Sequence, residues 1–182
     1  MRLFVAIALP SKAIDALESI ARGLRTSGDG LRWSSSNTWH ITLQFLGETT
    51  PESFECVVAH LGQIRLPHIA VALRGTGIFG RAGVFWADVH VSPELQRLER
   101  QVVAATANCG FQSEDRPYHP HVTLARAKGD DRSSLLRNLQ RRSPQNPEFP
   151  PFIATEFLLY ESHLGPRGAS HEVRQRFPLR MA

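Results

Sequence analysis

The sequence is short of cysteine and of long apolar runs. Its 182 residues include only two cysteines, Cys56 and Cys109, which are too few for a fold held together by disulfides. We therefore expect both to be small core residues without chemistry, in a cytoplasmic protein. No apolar run approaches the roughly 20 residues that a membrane-spanning helix requires, so no membrane partner is expected. The apolar start at 1–10 lacks a cleavage site and predicts a buried strand rather than a signal peptide.

Lysine is also scarce. All but two of the 21 basic residues are arginine, the exceptions being Lys12 and Lys128, and the formal net charge is +4. The planar guanidinium matches the geometry of phosphate, which favours an anionic partner. A genomic bias towards arginine explains the same composition equally well, and net charge alone does not identify a nucleic-acid ligand.

The hydrophobic pattern mixes strands and helices. Apolar alternation, helical periodicity and turn residues together predict the following elements: strand 2–8, helix 11–26, strand 39–46, helix 51–64, a hairpin of 69–79 and 83–91, a helix from 93 to 109, strand 119–127, a short helix at 131–142, and closing strands at 152–160 and about 171–179. Because this order mixes helices with strands and includes a hairpin, it predicts an α+β fold with antiparallel sheets rather than a doubly wound parallel sheet, in one domain, residues 1–182.

One short motif occurs twice. HITL at 40–43 returns as HVTL at 121–124, nearly half the chain later, and both copies lie in strand-like runs. Side chains alternate between the faces of a strand, so histidine and threonine share one face while the aliphatic residues enter the core. A single H-x-T carries almost no information, but the duplication predicts that two strands bring two imidazoles and two hydroxyls into one cleft.

This set of groups suits the opening of a cyclic phosphodiester. One imidazole can remove a proton from water while the other protonates the leaving alkoxide. The hydroxyls can donate hydrogen bonds to the non-bridging phosphate oxygens. The candidate catalytic residues are therefore His40 and His121, and the candidate phosphate-binding residues are Thr42 and Thr123.

The wider sequence around both motifs resembles the 2H phosphoesterases, and in particular the RNA 2′,3′-cyclic phosphodiesterases, also called 2′-5′ RNA ligases. WHITLQFLGE at 39–48 and RPYHPHVTLARAK at 116–128 resemble the two family motifs. RLFVAIALP at 2–10 and TEFLLYESHLGPRG at 155–168 are also similar to the family. The resemblance spans nearly the whole chain, in the family's order.

The resemblance implies two pseudo-symmetric lobes of antiparallel sheet with outer helices around a central cleft. It implies hydrolysis of a 2′,3′-cyclic phosphate to a 2′-phosphate without metal or cofactor, with His40 as general acid and His121 as general base. The expected partner is RNA with a 2′,3′-cyclic phosphate end, with tRNA halves or small cyclic nucleotides as candidate forms, and the expected state is a monomer. Three alternatives stay open: reversible 2′-5′ ligation at the same site, an RNA-end binding module without turnover, and a metallohydrolase.

Two residues that follow the motifs are harder to place. Arg126 matches an arginine common in the family and is a candidate for substrate binding, but strict alternation puts it on the face opposite His121. A twist or bulge near the strand end would be needed to bring it to the site. Phe45 has the parity of Ile41, so we expect it in the core.

The remaining histidines give weaker signals. His119 precedes the second motif and suggests a metal site with His40 and His121, but no fourth ligand has suitable spacing, so none is expected. The family often has tyrosine in the tail where His171 stands here, which suggests a different substrate preference. No constellation is evident around the other four, His60, His68, His90 and His163.

Overall fold

The computed structural model describes residues 1–112, 116–145, 147–165 and 168–180. Four α-helices are present in these ranges: α1 (Ser11–Leu24), α2 (Pro51–Leu61), α3 (Pro93–Ala107) and α4 (Arg132–Arg142). The strands are β1 (Arg2–Ala8), β2 (Leu31–Trp33), β3 (His40–Glu48), β4 (Ile69–Val71), β5 (Leu73–Phe79), β6 (Val84–Val89), β7 (His121–Ala127), β8 (Phe152–Ala154), β9 (Glu156–Gly165) and β10 (Gly168–Pro178). Within the described ranges, no helix combines the length and apolarity needed to cross a bilayer.

The strands form two four-stranded sheets with the orders β10-β9-β1-β3 and β2-β7-β6-β5, and β4 pairs with β8 separately. All pairings are antiparallel. The two motif strands, β3 and β7, contact each other where the sheets meet. β2 pairs only with residues 125–127 of β7. The motif at 121–124 therefore has no partner in β2 and lies next to the other sheet. The prediction of an α+β fold with two sheet lobes is confirmed.

The helices begin where the sequence offers capping groups. Thr50 accepts a hydrogen bond from the backbone N–H of Ser53 at 3.2 Å, and Pro51 follows it as the first residue of α2. Ser92 accepts one from Leu95 at 3.1 Å at the start of α3, again before a proline. These side chains satisfy backbone donors that helix geometry leaves free. α2 and α3 pack together, α3 covers β3, and α4 covers β5 to β7.

A β-bulge interrupts β3 directly after the first motif. In the pairing with β1, Ala6 lies opposite Thr42, but Val5, the residue before Ala6, lies opposite Gln44. Leu43 therefore has no partner of its own. Leu43 and Gln44 are therefore both buried, at 4% and 6% exposure. The extra residue reverses the alternation, so Phe45 moves to the motif's face and is 59% exposed. The prediction that Phe45 packs in the core is wrong for this reason.

A second bulge occurs at the equivalent place in β7. Trp86 of β6 lies opposite Thr123, and the preceding residue Phe85 lies opposite Ala125, so Leu124 has no partner of its own. Leu124 and Ala125 are both fully buried. Arg126 is consequently turned to the face of His121 and Thr123. The bulge that Arg126 needs in order to reach the site is therefore present.

The cysteines are not isolated core residues. Cys56 in α2 and Cys109, just beyond α3, form a disulfide with a Cα–Cα distance of 5.8 Å. The prediction that both cysteines are without chemistry is wrong, because the packing of α2 against α3 brings together residues that are 53 positions apart. Nδ1 of His60 lies 3.6 Å from each sulfur, so His60 does belong to a constellation.

Several short elements differ from the predicted ones. The run at 69–79 is divided into β4 and β5, and the run at 152–160 is divided into β8 and β9. The reason is that the first part of the earlier run, β4, pairs with the first part of the later run, β8. β2 was not predicted, since three residues give too little alternation to detect. α1, α2 and α3 end two or three residues earlier than predicted.

Candidate active site

A cleft of about 520 Å³ lies where β3 meets β7. All five residues predicted for the site line it: His40, Thr42, His121, Thr123 and Arg126. The strand geometry explains the arrangement. Each motif presents its histidine and threonine on one face, and each following bulge adds one more side chain to that face.

The two histidine rings are held in the same way. His40 Nδ1 lies 2.7 Å from the carbonyl oxygen of Thr38, and His121 Nδ1 lies 2.8 Å from that of His119. A carbonyl can only accept, so in both rings Nδ1 carries the proton and donates it. Nε2 is then the nitrogen left for proton transfer, as a base when bare and as an acid when protonated.

Aromatic side chains fix the position of His40. The Phe4 ring lies 4.6 Å from it between centroids, and the His171 ring meets it edge-on at 5.2 Å. His171 also meets Phe4 edge-on at 4.9 Å and lines the cleft. The residue at which the sequence departs from the family it resembles is therefore in direct contact with a candidate catalytic histidine.

His121 is fixed by a second aromatic group. Phe79 meets its ring edge-on at 5.0 Å, and Trp86 lies 6.2 Å from it. His119 lies 6.3 Å from the His121 ring, and its Nε2 is 3.4 Å from the Asp88 carboxylate. Two close-set ligand groups of three or more occur among the described residues, Cys56/His60/Cys109 and Glu161/His163/Glu172, and His40, His119 and His121 do not form one.

Burial makes both candidate histidines hard to protonate. It lowers the pKa of His40 to about 4, with smaller contributions from the positive charges of His171 and His121. Burial also lowers the pKa of His121, and the backbone carbonyl of His119 offsets part of the effect. An imidazolium loses its hydration when buried, so the neutral form is favoured in both rings.

The cleft carries an excess of positive charge that the motifs alone do not predict. Arg2 and Arg32 line it together with Arg126, and Arg32 lies directly opposite Arg126 in the β2–β7 pairing. Burial and the nearby charge of Arg32 both lower the pKa of Arg126. Arg32 could not be found from the sequence because β2 was not recognised. The arrangement suits a ligand with concentrated negative charge.

Phe45 lines the cleft, although the sequence pattern predicts that it packs in the core. It follows His40 at the same offset at which Arg126 follows His121. Its exposed ring lies 5.8 Å from Phe4 and forms part of the cleft wall. The signal that could have located it is this equal offset, which extends the repeat beyond four residues.

Comparison with known families agrees with the geometry. The family model described as the 2′-5′ RNA ligase superfamily matches residues 10–165, a span that includes both motifs. The chain belongs to the 2′-5′ RNA ligase superfamily. The resemblance inferred from the motifs is thereby confirmed.

Two related proteins align with nearly the whole chain. An RNA 2′,3′-cyclic phosphodiesterase of Thermotoga maritima is 29% identical over 182 residues, which cover 95% of this chain and 92% of that protein. One of Geobacillus stearothermophilus is 28% identical over 184 residues, which cover 97% of this chain but only 56% of that protein.

Solved structures with the same fold are known. Escherichia coli LigT in complex with NADP+ superposes with a TM-score of 0.82 at 28% identity, covering 99% of this chain and 98% of that one. TT0787 of Thermus thermophilus superposes with a TM-score of 0.81 at 28% identity, covering 100% and 99%. The architecture of this chain is thus shared with these two proteins.

Proposed function

We propose that this chain hydrolyses 2′,3′-cyclic phosphates at RNA ends to 2′-phosphates, without a metal or cofactor. One observation carries the proposal: two His–Thr pairs, each with its imidazole fixed through Nδ1, share a cleft with Arg126. The named relatives from Thermotoga and Geobacillus are RNA 2′,3′-cyclic phosphodiesterases. The chain is a hydrolase of the cyclic phosphodiesterase class.

The reaction requires two proton transfers on opposite sides of the phosphorus. His121 Nε2 takes a proton from water, and the water oxygen forms a new bond to phosphorus. The bond from phosphorus to O3′ breaks in line with this attack, and His40 Nε2–H gives its proton to the departing O3′. The phosphate stays on O2′, and each histidine ends in the protonation state in which the other began.

The remaining groups hold the charge of the phosphate. The hydroxyls of Thr42 and Thr123 donate hydrogen bonds to its non-bridging oxygens, and Arg126 offers two parallel N–H donors. These donors are fixed by the sheet before substrate arrives, so little reorganisation accompanies the reaction. Acid, base and charge stabilisation are then all supplied by side chains.

The low pKa of His40 is compatible with its role as the acid. A buried imidazole that is neutral in the free protein gains a proton from solvent when a phosphate anion binds beside it, because the opposite charge favours the cationic form. The substrate therefore helps to create the acid that cleaves it.

In ligation the 5′-hydroxyl of a second RNA takes the place of water: His121 accepts its proton, His40 gives a proton to the departing O3′, and a 2′-5′ bond forms. Cleavage of that bond is the reverse reaction, in which the two histidines exchange roles. We propose hydrolysis as the principal activity, since water reaches an open cleft at far higher concentration than an RNA 5′-hydroxyl. We also propose that one chain, 1–182, suffices as a monomer, because both motifs line a single cleft of that chain.

The test uses a short oligoribonucleotide with a 2′,3′-cyclic phosphate end, incubated with the protein in excess EDTA. Phosphorus NMR against authentic 2′- and 3′-phosphates identifies the product, which we expect to be the 2′-phosphate. His68→Ala, at an exposed histidine outside the cleft, is the matched control for histidine variants. A predominant 3′-phosphate would mean that the ribose lies in the opposite orientation.

Two further outcomes support the alternatives. Binding of the oligonucleotide without turnover would identify an RNA-end binding module. Loss of turnover in EDTA, restored by Zn²⁺ or Mn²⁺, would identify a metallohydrolase.

A further inference from the structure

The disulfide and His60 form a cluster that the proposed hydrolysis does not use. Cys56 and His60 are one turn apart on α2, and Cys109 follows α3. Side chains at such a spacing lie on the same face of a helix. All three residues are partly exposed, so a small solute can reach them from solvent.

The cluster lies on the other side of the sheet from the cleft. α3 covers the face of β3 that carries Gln44, whose side-chain oxygen accepts a hydrogen bond from the Thr106 hydroxyl at 2.7 Å. Thr42 and Phe45 occupy the opposite face and line the cleft, whereas Cys56, His60 and Cys109 do not. Any chemistry at the cluster is therefore spatially separate from the phosphate site.

The position of His60 is what a metal site requires. Its Nδ1 lies 3.6 Å from the sulfur of Cys56 and 3.6 Å from that of Cys109. In a tetrahedral zinc site, Zn–S bonds of about 2.3 Å and a Zn–N bond of about 2.0–2.1 Å place sulfur and nitrogen about 3.5–3.6 Å apart. The nitrogen thus already stands at the ligand–ligand distance from both sulfurs.

The sulfurs themselves must separate before an ion can enter. Two thiolates on one tetrahedral zinc lie about 3.8 Å apart, and the Cα–Cα distance of 5.8 Å places both side chains within reach of a common ion. Nδ1 is also 3.0 Å from the carbonyl oxygen of Cys56, to which it donates when protonated. Metal binding replaces that hydrogen bond, since the ligating nitrogen carries no proton.

We propose that Cys56, His60 and Cys109 form a Zn²⁺ site when the disulfide is reduced, so that the disulfide and the ion are alternative states of one cluster. A dithiol reductant converts the disulfide into two thiols and is itself oxidised to a disulfide. Zn²⁺ then displaces one proton from each thiol and binds both sulfurs and His60 Nδ1. Water completes the tetrahedron at the exposed side. Two thiolates and an imidazole are a ligand set that zinc prefers.

The experiment measures metal binding directly and uses untagged protein. The reduced protein, with its two thiols verified by colorimetric titration, is titrated with Co²⁺ without oxygen. We expect one ion per chain and the intense visible absorption of tetrahedral cobalt with sulfur-to-metal charge transfer. Zn²⁺ should remove that spectrum, and competition with a chromophoric chelator gives its affinity. The oxidised protein should show neither effect.

Variants assign the ligands. Cys109→Ser and His60→Ala should each weaken Zn²⁺ binding by at least about 100-fold, since even the loss of a residue that merely supports a ligand costs about 10–100-fold. His60→Gln repeats the test with a side chain of similar bulk, and His68→Ala should bind like the wild type. Circular dichroism verifies that each variant is folded.

Absence of cobalt or zinc binding by the reduced wild type overturns the proposal, as does equal binding by the oxidised protein. Unchanged affinity in the folded His60 variants overturns the assignment of the imidazole. Cyclic phosphate hydrolysis, measured on the same samples, is expected to continue in all of them. A failure of the metal site and a failure of the proposed hydrolase are thus distinguishable.

Discussion

The protonation of His40 and His121 should give kcat/KM and kcat different pH optima. The pH dependence of kcat/KM reports the free enzyme, and that of kcat reports the enzyme–substrate complex. In the free enzyme the pKa of His40 is about 4, and that of His121 is also lowered from its ordinary value of 6.5. One ring must be protonated and the other neutral. The kcat/KM profile should therefore be a bell with both limbs below pH 6.5.

The bound substrate should move this bell to higher pH. A phosphate anion about 4 Å from an imidazolium contributes about 4 kcal/mol at an effective dielectric constant of about 20. That corresponds to about 3 pKa units, so the pKa of His40 rises well above the value of about 4 that it has in the free protein. The bound anion raises the pKa of both rings, because it favours the cationic form that burial disfavours. We expect kcat to peak near neutral pH.

The assay is hydrolysis of a 2′,3′-cyclic mononucleotide over a range of buffers of constant ionic strength. Because the two rings interact, the limbs belong to the pair rather than to either residue. Superimposable profiles, or a kcat/KM optimum above neutral pH, would refute the reasoning that burial controls the pKa of His40. His171→Tyr keeps an aromatic ring beside His40 and removes a positive charge that lowers its pKa. The acid limb should then move to higher pH, and a shift in the opposite direction would contradict that contact's electrostatic role.

Three further outcomes are expected. His40→Ala and His121→Ala should each reduce turnover by on the order of 10²–10⁴-fold, and the double variant should lose less than the product of the two; near wild-type rates in either would contradict the paired mechanism. Arg126→Ala should reduce kcat/KM by about 10–100-fold, the worth of a charge-assisted hydrogen bond, with partial recovery in Arg126→Lys, and an unchanged value would place Arg126 outside substrate binding. Cys109→Ser should lower the free energy of unfolding by up to about 4 kcal/mol, because it opens the loop that the disulfide to Cys56 closes across 53 positions. Chemical denaturation measures this difference, and equal stability of the oxidised wild type and the variant would contradict the prediction.

The repeated tetrapeptides were sufficient to predict which faces of two strands meet. Alternation is a local property, so His40 and Thr42 could be placed on one face without knowledge of the rest of the chain. The mixed order of strands and helices likewise gave the fold class. Both predictions depend on patterns that are complete within a few residues.

The bulges could not be predicted in the same way. Each depends on how a motif strand pairs with a neighbour far away in sequence, β1 in one case and β6 in the other. An ideal pleat puts Phe45 in the core, and only the observed register turns it to the cleft. For Arg126 the sequence predicts only that a bulge is needed, and the register of β7 against β6 decides whether one is present.

The cysteine cluster could not be predicted from the sequence for a related reason. Two cysteines 53 positions apart allow only one pairing, but whether they meet depends on the packing of α2 against α3. A low cysteine content argues against a disulfide framework and does not exclude one bond between adjacent helices. His60 could be recognised as their neighbour only after that packing was known.

The equal bulges in β3 and β7 divide the cleft into a part that obeys the pseudo-twofold and a part that breaks it. The reacting groups repeat, so on the proposed mechanism they give a ribose phosphate no reason to prefer one of its two oxygens. The residues that follow the bulges are an aromatic ring in one lobe and a guanidinium in the other. A substrate turned end for end would keep its phosphate between the two His–Thr pairs but would place its base against the other wall. Regiochemistry, on this view, depends on the side chains that differ between the two lobes, with Phe45 and Arg126 among them. Exchanging that pair should shift the product towards the other isomer while leaving both histidines untouched.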